Sequence, residues 1–368
     1  MMRRMMVTSL IQAELKFLGR SVSGQWWSRT QRPVHHCSGL VYREHTANID
    51  TMRMEQLPMP GLNKRSVRVK MLAAPVNPAD INMIQGTYPI LCPLPAVGGN
   101  EGLGEVLEVG DEVNTLRPGD WVVPVDAGFG TWRTEAVCGE DDLITVPKDI
   151  TVMGAATIAV NPCTAYRMLH DFHTLTPGST VIQNGANSAV GQAVIQIAAA
   201  MQIRTINIIR DRPNCAELVK ELQALGADYV LTEEEVMSSG LQHIFQEVPK
   251  PRLGLNCVGG ISGGLVLSNL DYGGTLVTYG GMAKKPVHIP AKSLIFKNIS
   301  LRGFWMTQWK RNHRQDKALL RSMLDSLCEL VRSGYLRPPN CIQTPFPQYT
   351  KALHATVQPR QRKHVLIM

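Results

Sequence analysis

Residues 180–201 read TVIQNGANSAVGQAVIQIAAAM, and this stretch decides the fold of the chain. Thr180–Asn184 is a short apolar segment typical of a buried strand, and Val190–Met201 has the pattern of an apolar helix. Small residues join the two, so the backbone of the turn can approach an anionic group. The start of the helix then offers free N–H groups to that anion. The stretch therefore predicts the first strand, turn and helix of a nucleotide-binding unit.

The turn differs from the common GxGxxG fingerprint of such units. Gly185 and Gly191 flank it, and Ala189 stands where a glycine would be expected. Small residues before a helix also favour close packing, which is the structural alternative. The position of the turn between a strand and a helix favours a diphosphate-binding role.

Strands and helices continue to alternate after this stretch. The predicted elements are strands at Thr205–Ile209, Tyr229–Leu231, Leu253–Cys257 and Thr275–Tyr279 and a helix over Ala216–Leu225. Such alternation gives right-handed βαβ units and a parallel sheet. We therefore predict a doubly wound α/β domain over residues 162–303.

The flanking parts of the chain are strand-like and rich in turns. The predicted elements are strands at Gly39–Glu44, Val67–Ala73, Glu105–Val109, Trp121–Val125 and His364–Met368 and a helix over Asp316–Arg332. Residues 39–161 and 304–368 are predicted to form one β-rich domain, a partly open barrel. The nucleotide-binding domain is inserted into it.

Composition excludes several classes of protein. The 368 residues, with 44% hydrophobic and 18% charged side chains, predict a globular chain of about two domains. The longest apolar run, Ala189–Ile203, is interrupted by glutamines, so no membrane span is predicted. The eight cysteines form no CxxC pair, which indicates reduced thiols and neither a disulfide framework nor a structural zinc site.

Positive charge is concentrated at the start of the chain. The net charge is +8, and residues 1–43 hold seven Arg or Lys residues and one acidic residue. The rest of the chain is almost balanced, which gives little support for nucleic-acid binding. A basic leader rich in Arg, Met and Ser is typical of a mitochondrial transit peptide, which we predict over residues 1–38. A disordered basic tail is the alternative.

The end of the second predicted strand indicates the cofactor. NAD sites place an acidic residue there, where it holds the ribose hydroxyls. Here Thr205–Ile209 is followed by Arg210, Asp211 and Arg212. Two guanidinium groups suit a 2′-phosphate, so the sequence predicts NADPH. A solvated turn is the structural alternative.

Long and unusual strings of residues carry a resemblance to a known family. These are VKMLAAPVNP (69–78), DINMIQGTYP (80–89), PAVGGNEG (95–102), GTWRT (130–134), NPCTAYR (161–167), YGGM (279–282) and LRGFW (301–305). Beyond about residue 40 the chain resembles the zinc-independent medium-chain dehydrogenase/reductases, and among them the enoyl thioester reductases. The resemblance implies a doubly wound Rossmann domain inserted into a partly open β-barrel (GroES-like) catalytic domain, and a homodimer.

The zinc ligands of related alcohol dehydrogenases are replaced in this chain. Asn77 stands at the position of their catalytic cysteine, and Asn100 replaces the histidine of their GHE motif, while Glu101 is retained. Amide side chains do not substitute for thiolate and imidazole as zinc ligands. We therefore predict no metal.

The resemblance implies NADPH-dependent reduction of trans-2-enoyl thioesters, carried by acyl carrier protein or CoA, in the fatty-acid synthesis of the mitochondrial matrix. It places the proton donor on Tyr88, in the string Gly-Thr-Tyr-Pro. A phenol is protonated at neutral pH and can donate to an enolate. The alternatives are an NADPH quinone or alkenal reductase, and a non-catalytic dinucleotide-binding regulator.

The remaining site residues also follow from the resemblance. The implied cofactor contacts are Asn161, Asn187, Ser188, Ala189, Val190, Arg210, Asp211, Arg212, Tyr279, Gly280, Gly281, Met282, Phe304, Trp305, Met306 and Lys363. Phe304, Trp305 and Met306 are expected to border the nicotinamide and the acyl pocket, with a plain core aromatic as the alternative for Trp305. The basic group Lys310, Arg311 and Arg314 is either a solvated helix start or a contact for the acidic carrier protein.

Overall fold

The computed structural model describes residues 35–358 and 362–368. The predicted transit peptide lies outside these residues except for its last four positions. The first strand begins at His36, so the predicted start at Gly39 is wrong by three residues. His36, Cys37 and Ser38 pair with Pro58, Leu57 and Gln56 of the next strand, and this non-local pairing is invisible in a short polar segment.

Two antiparallel-rich sheets make up the β-rich part of the molecule. The strands are β1 His36–Tyr42, β2 Arg53–Pro58, β3 Ser66–Pro75, β4 Ala96–Val97, β5 Leu103–Val109, β6 Trp121–Pro124, β7 Glu135–Gly139, β8 Leu143–Val146, β15 Cys341–Pro345 and β16 Lys363–Ile367. One sheet has the order β2-β1-β4, and the other has the order β15-β16-β3-β5-β6-β8 with β7 paired to β3. The last strand of the chain thus pairs with β3 beside the early residues of the site.

A six-stranded parallel sheet forms the nucleotide-binding part. Its strands are β9 Thr180–Asn184, β10 Arg204–Ile209, β11 Tyr229–Thr232, β12 Leu253–Asn256, β13 Thr275–Thr278 and β14 Ser300–Gly303. Their order is β11-β10-β9-β12-β13-β14, which confirms the doubly wound fold. The sequence pattern missed β14, because this strand has only four residues, is partly polar and lies exposed at the edge of the sheet.

Helices cover the sheets and connect the strands. They are α1 Pro78–Ile84, α2 Val152–Ala156, α3 Asn161–Asp171, α4 Ala189–Ala200, α5 Cys215–Ala224, α6 Glu233–Ser239, α7 Gly260–Ser268, α8 Ala291–Ile295, α9 Met306–Asn312, α10 Lys317–Arg332 and α11 Tyr349–Val357. Short 3-10 turns lie at Ile49–Thr51, Glu140–Asp142, Ile244–Gln246 and Phe346–Gln348. Within the residues that the structure describes, none of the helices has the length and apolarity needed to cross a membrane.

The parallel strands place their carboxyl ends at one edge of the sheet. All five residues of β9 are buried, and Val181 shares a hydrophobic core with Val194 and Ile197 of α4. Asn184, Ile209, Asn256 and Thr278 end four neighbouring strands at this edge. Ligands of doubly wound sheets bind at such an edge, so the candidate site lies where these strands stop.

Candidate active site

The turn between β9 and α4 has the geometry of an anion cradle. Gly185 has a φ of +58°, which side-chain-bearing residues rarely adopt. Ser188 caps α4, because its hydroxyl accepts the backbone N–H of Gly191 at 3.1 Å. A Cβ at Gly191 would lie 2.5 Å from the carbonyl oxygen of Ala186, so the turn is as tight as the backbone allows. Asn187, Ser188, Ala189 and Val190 form the half-buried rim of this turn.

Two further loops meet the turn at the same edge of the sheet. Residues 257–260 follow β12, and residues 279–282 follow β13. The N–H of Met282 donates to the carbonyl of Cys257 at 3.0 Å, and a Cβ at Gly280 would lie 2.9 Å from that same carbonyl. We call the turn 185–188 and the loops 257–260 and 279–282 together the cofactor edge.

The side chain of Tyr279 lies beneath the turn, beside Cys257 and Ser188. Burial raises the pKa of Tyr279 well above its usual value, with a further contribution from Cys257. The phenol therefore stays neutral and packs under the cradle. Met282, by contrast, is exposed.

The predicted 2′-phosphate residues follow β10 at the same edge. Arg210 and Asp211 are exposed, and Arg212 is half-buried. The carbonyl of Arg212 accepts the N–H of Cys215 at the start of α5, which fixes the backbone of this turn. Their role toward a phosphate stays a prediction.

Tyr88 lies in a cleft beside the barrel domain. The indole Nε1 of Trp305 donates a hydrogen bond to its hydroxyl oxygen at 2.7 Å, and the two rings meet edge to face with centroids 5.7 Å apart. Burial raises the pKa of Tyr88, although hydrogen bonds from Trp305 and Thr307 oppose this. The lining of the cleft comprises Asn77, Ala79, Asp80, Asn100, Asp126, Ala127, Val160, Met306, Thr307 and Lys310.

The positions of the absent zinc ligands are occupied by a polar network. The amide of Asn77 donates to Glu101 at 2.9 Å, and its oxygen accepts hydrogen bonds from Lys363 and, at 3.3 Å, from Asn161. We call Asn77, Asp80, Asn100, Glu101 and Lys363 the carboxylate corner. Among the described residues, no group of three or more His, Cys, Asp or Glu side chains could hold a metal ion.

Asp80 and Glu101 are buried carboxyl groups within this corner. Asp80 accepts the backbone N–H of Asn77 at 2.7 Å and the side-chain amide of Asn100 at 2.6 Å. Burial nevertheless raises the pKa of Asp80 to about 7, because the N–H donors and Lys363 compensate only part of the lost hydration. The pKa of Glu101 is also raised by burial, and Lys363 and Asn77 oppose this.

The structure groups the predicted residues unevenly. Tyr88, Trp305 and Met306 meet at the cleft, and Asn161 joins Lys363 at Asn77. The ring of Phe304 instead packs edge to face on Phe172 in the core, with centroids 5.8 Å apart. Its role at the cofactor stays a prediction.

Sequence reasoning missed three buried polar residues. Asp80 holds the corner together, and Asn184 and Asn256 join two loops of the cofactor edge. The available signal was an asparagine at the end of one predicted strand, Thr180–Asn184, and at the second-to-last position of another, Leu253–Cys257, where an apolar residue would be more usual.

A doubly wound sheet with an anion cradle, joined to a barrel that holds a phenol in a cleft, defines a dinucleotide-dependent oxidoreductase. Residues 63–155 match the family described as alcohol dehydrogenase GroES-like domain, and residues 189–322 match the family described as zinc-binding dehydrogenase. The boundaries that we predict between the two domains stay predictions.

Relatives of known function show which kind of oxidoreductase this chain resembles. The mitochondrial enoyl-[acyl-carrier-protein] reductase of Xenopus tropicalis is 54% identical over 332 residues, which cover 90% of this chain and 95% of the relative. The human enzyme of that name is 53% identical, with coverage of 87% and 85%. This chain belongs to the family of mitochondrial enoyl-[acyl-carrier-protein] reductases.

Solved structures agree with this assignment. The complex of Etr1p with NADP and crotonyl-CoA superposes with a TM-score of 0.85 at 36% identity, covering 91% of this chain and all of that one. The mitochondrial 2-enoyl thioester reductase heterodimer Etr1p/Etr2p from Candida tropicalis gives the same TM-score at 35% identity and the same coverage. A quinone reductase from Bacillus thuringiensis, at 22% identity and a TM-score of 0.77, shares the fold.

Proposed function

We propose that this chain reduces trans-2-enoyl thioesters to saturated acyl thioesters with NADPH, in mitochondrial fatty-acid synthesis. The observation that carries the proposal is the phenol of Tyr88, held by Trp305 in a cleft that Met306 and Thr307 also line. Family membership supports the reaction, and the complex of Etr1p with NADP and crotonyl-CoA supports the cofactor and the substrate class.

The residues of the cofactor edge fit a dinucleotide. Gly185 and Gly280 each approach Cys257 so closely that a Cβ would collide, so glycine lets the turn and the loop after β13 come together at the end of the sheet. In our proposal Asn187, Ser188, Ala189 and Val190 hold the diphosphate. The 2′-phosphate would lie at Arg210 and Arg212, and the nicotinamide end near Asn161 and Lys363. NADPH supplies a hydride to the β-carbon of the substrate when it is bound.

Tyr88 then delivers the proton that the reduced substrate requires. Negative charge develops on the thioester oxygen, and the α-carbon takes up a proton. Trp305 donates to the oxygen of Tyr88, so the phenolic hydrogen remains available for donation. Because burial raises the pKa of Tyr88, the group is protonated at neutral pH, and the indole N–H stabilises the phenolate that is left.

Turnover of crotonyl-CoA with NADPH tests the proposal directly. We expect NADPH oxidation to depend on crotonyl-CoA and to be much slower with NADH. A chain that oxidises NADPH only with quinones would be a quinone reductase instead. A chain that binds NADPH and turns over neither substrate would be a binding regulator.

We further propose that the acidic acyl carrier protein docks beside the cleft. A groove lined by Phe129, Arg133, Arg311 and Arg314 shares Asp126, Ala127 and Lys310 with the cleft, so an acyl arm could pass from one to the other. Its exposed cations are Arg311, which pairs with Asp126 at 3.0 Å, and Arg314. Asp141 and Asp142 also line the groove, so Arg314 is the cation best placed for an acidic partner.

Charge reversal at Arg314 tests this docking surface. Arg314→Glu should raise the KM for an acyl-carrier-protein substrate and leave the KM for crotonyl-CoA within about threefold, because steering acts on the larger charged partner. Arg117→Glu, an exposed residue in a different groove, is the matched control. Equal effects of the two variants would reject the proposed surface.

We also propose that two copies of the chain form a homodimer through β14. This edge strand is paired on one side only, and all four of its residues are exposed. Nearby, Phe296 is 76% exposed at the end of α8, which is unusual for a large aromatic side chain.

Phe296→Glu should therefore yield monomers in sedimentation, whereas Tyr335→Glu, another exposed aromatic, should not. Monomeric wild-type protein would contradict the proposal.

We propose that the leader carries the chain into mitochondria, because the relatives are named as mitochondrial enzymes. A reporter fused to residues 1–43 should enter mitochondria, and neutralisation of Arg3, Arg4, Arg20 and Arg29 should prevent entry. An unaltered leader that leaves the reporter in the cytosol would show that the localisation is wrong.

A further inference from the structure

Two strands of the parallel sheet end in asparagines that are fully buried. Asn184 ends β9 and Asn256 ends β12, and neither side chain is exposed to solvent. The two residues are far apart in the chain, yet the Nδ2 of Asn184 donates to the Oδ1 of Asn256 at 2.8 Å. Buried amides of this kind are costly unless each polar atom has a partner, so the partners indicate what the pair does.

The partners of Asn256 lie on three different segments. Its Oδ1 accepts the backbone N–H of Gly259 at 3.0 Å and that of Val258 at 3.3 Å, in addition to Asn184. Its Nδ2 donates to the hydroxyl of Thr278, the last residue of β13, at 3.1 Å. One side chain thus joins the ends of β9, β12 and β13.

The orientation of the pair is fixed by the backbone. The N–H of Cys257 donates to the Oδ1 of Asn184 at 2.8 Å, and because a backbone N–H can only donate, this turns the Nδ2 of Asn184 toward Asn256. The backbone carbonyl of Asn256 accepts the N–H of Tyr279 at 2.9 Å. The loop 257–260 is therefore tied directly to this amide pair, and the loop 279–282 is joined to it through Thr278 and the backbone of Asn256.

We propose that Asn256 is a positioning residue for the dinucleotide, which holds the turn 185–188 at the correct separation from the loops 257–260 and 279–282. The side chain is buried and acts through the backbone N–H groups that it holds in place. The inference rests on the proposed NADPH function and extends it to a residue outside the cofactor contacts. Its role is in binding, not in the chemical step at Tyr88.

The sheet contains a matched control for this proposal. Asn207 in β10 is equally buried and also forms an amide pair, in which the Nε2 of Gln183 donates to its Oδ1 at 2.8 Å. The Nδ2 of Asn207 donates to Thr205 and to the carbonyl of Tyr229, all within the sheet. Loss of Asn207 therefore leaves a similar buried defect without releasing a loop of the cofactor edge.

The experiment compares Asn256→Ala, Asn256→Ser and Asn207→Ala in the full chain by NADPH fluorescence titration, steady-state kinetics with crotonyl-CoA and thermal unfolding. We expect Asn256→Ala to raise the Kd and the KM for NADPH by about ten- to hundredfold, because three donors lose their acceptor. The kcat at saturating NADPH should stay within about threefold. Asn256→Ser should be intermediate, since its hydroxyl can accept Gly259 but cannot reach Asn184.

Asn207→Ala should lower the melting temperature and leave the Kd for NADPH within about threefold of wild type. A folded Asn256→Ala variant with the wild-type Kd would overturn the proposal, as would an equal rise in Asn207→Ala. If Asn256→Ala does not fold, the Asn256→Ser variant decides by the same criteria. Failure of the wild-type chain to bind NADPH would instead reject the proposed function.

Discussion

The cofactor edge and the carboxylate corner are both buried polar sites, but they are built from different chemical groups. The edge is built from backbone N–H groups and from the neutral amides Asn184 and Asn256. The corner buries two carboxyl groups, Asp80 and Glu101, and holds the ammonium group of Lys363 at Asn77, close enough for its charge to act on both. One region has fixed dipoles, and the other has charges that can take up or release protons.

This difference has consequences for how each region responds to change. Neutral amides present the same hydrogen bonds at every physiological pH, so the edge should bind its ligand with little dependence on pH. Buried carboxyl groups change with pH, because burial disfavours their charged form. Affinity for the cofactor should therefore depend on geometry at the edge, whereas stability should depend on pH through the corner.

The largest effect is expected at the cleft beside the corner, at Tyr88. Tyr88→Phe keeps the ring but removes the phenolic proton, and general acid catalysis is typically worth ~10²–10⁴-fold. We expect kcat on crotonyl-CoA to fall by that order, with a much smaller change in KM and in NADPH affinity. The measurement is steady-state turnover with saturating NADPH.

The control for this prediction is Trp305→Phe, which keeps Tyr88 and removes only the hydrogen bond to its oxygen. Its loss of kcat should be smaller than that of Tyr88→Phe. A folded Tyr88→Phe variant within about threefold of wild type would mean that water or another group delivers the proton.

A second effect is expected at the end of β10, next to the cofactor edge, in the discrimination between NADPH and NADH. Replacement of both Arg210 and Arg212 by serine should weaken NADPH binding by roughly 2–4 kcal/mol, from the loss of charge-assisted contacts to the 2′-phosphate. The affinity for NADH should change little. The check is a fluorescence titration with each cofactor, and an equal loss for both would exclude the 2′-phosphate assignment.

The smallest effect is expected on stability, in the corner. The folded-state pKa of Asp80 is raised to about 7, so its contribution to stability is present below its ordinary value near 3.8 and is lost as pH rises through 7. At about 1.4 kcal/mol per pKa unit, wild-type stability should therefore fall by roughly 2–3 kcal/mol from this group between pH 5 and pH 8. In Asp80→Asn the free energy of unfolding should change less between pH 5 and pH 8, as measured by urea unfolding at both pH values.

Asp149 provides the contrast for this measurement. Hydrogen bonding to Arg332 lowers its pKa on the surface of the molecule, so its linkage to pH has the opposite sign. Asp149→Asn should leave the decline of stability toward pH 8 in place. A wild-type profile that rises steadily from pH 5 to pH 8, unaffected by Asp80→Asn, would show that Asp80 is ionised throughout.

The predictable part of the fold was the part with a local pattern. Thr180–Asn184 forms a strand with the predicted bounds, and the helix predicted from Asp316 begins at Lys317 with Asp316 as its cap. Hydrophobic periodicity and helix-capping residues are local properties of a chain, so they can be recognised in the sequence before the fold is known. His36–Ser38 and Ser300–Gly303 were misread, because their strand character comes from pairing with distant partners.

By itself, the sequence determined the doubly wound sheet, the small-residue turn at its first strand and the two arginines after the second. It also carried the family resemblance that places the proton donor on Tyr88. These features lie within short windows, and their spacing is set by the repeat of a strand or a helix. Short-range sequence patterns were therefore enough to predict the class of protein.

Only the tertiary structure decided which distant side chains meet. Trp305 reaches Tyr88 across 217 residues of sequence, and Lys363 reaches Asn77 across 286. The pairing of Asn184 with Asn256 spans 72 residues and depends on the strand order, which places β12 beside β9. Side-chain hydrogen bonds act only over about 3 Å, so their partners are fixed by how the whole chain packs and leave no periodic trace in the sequence.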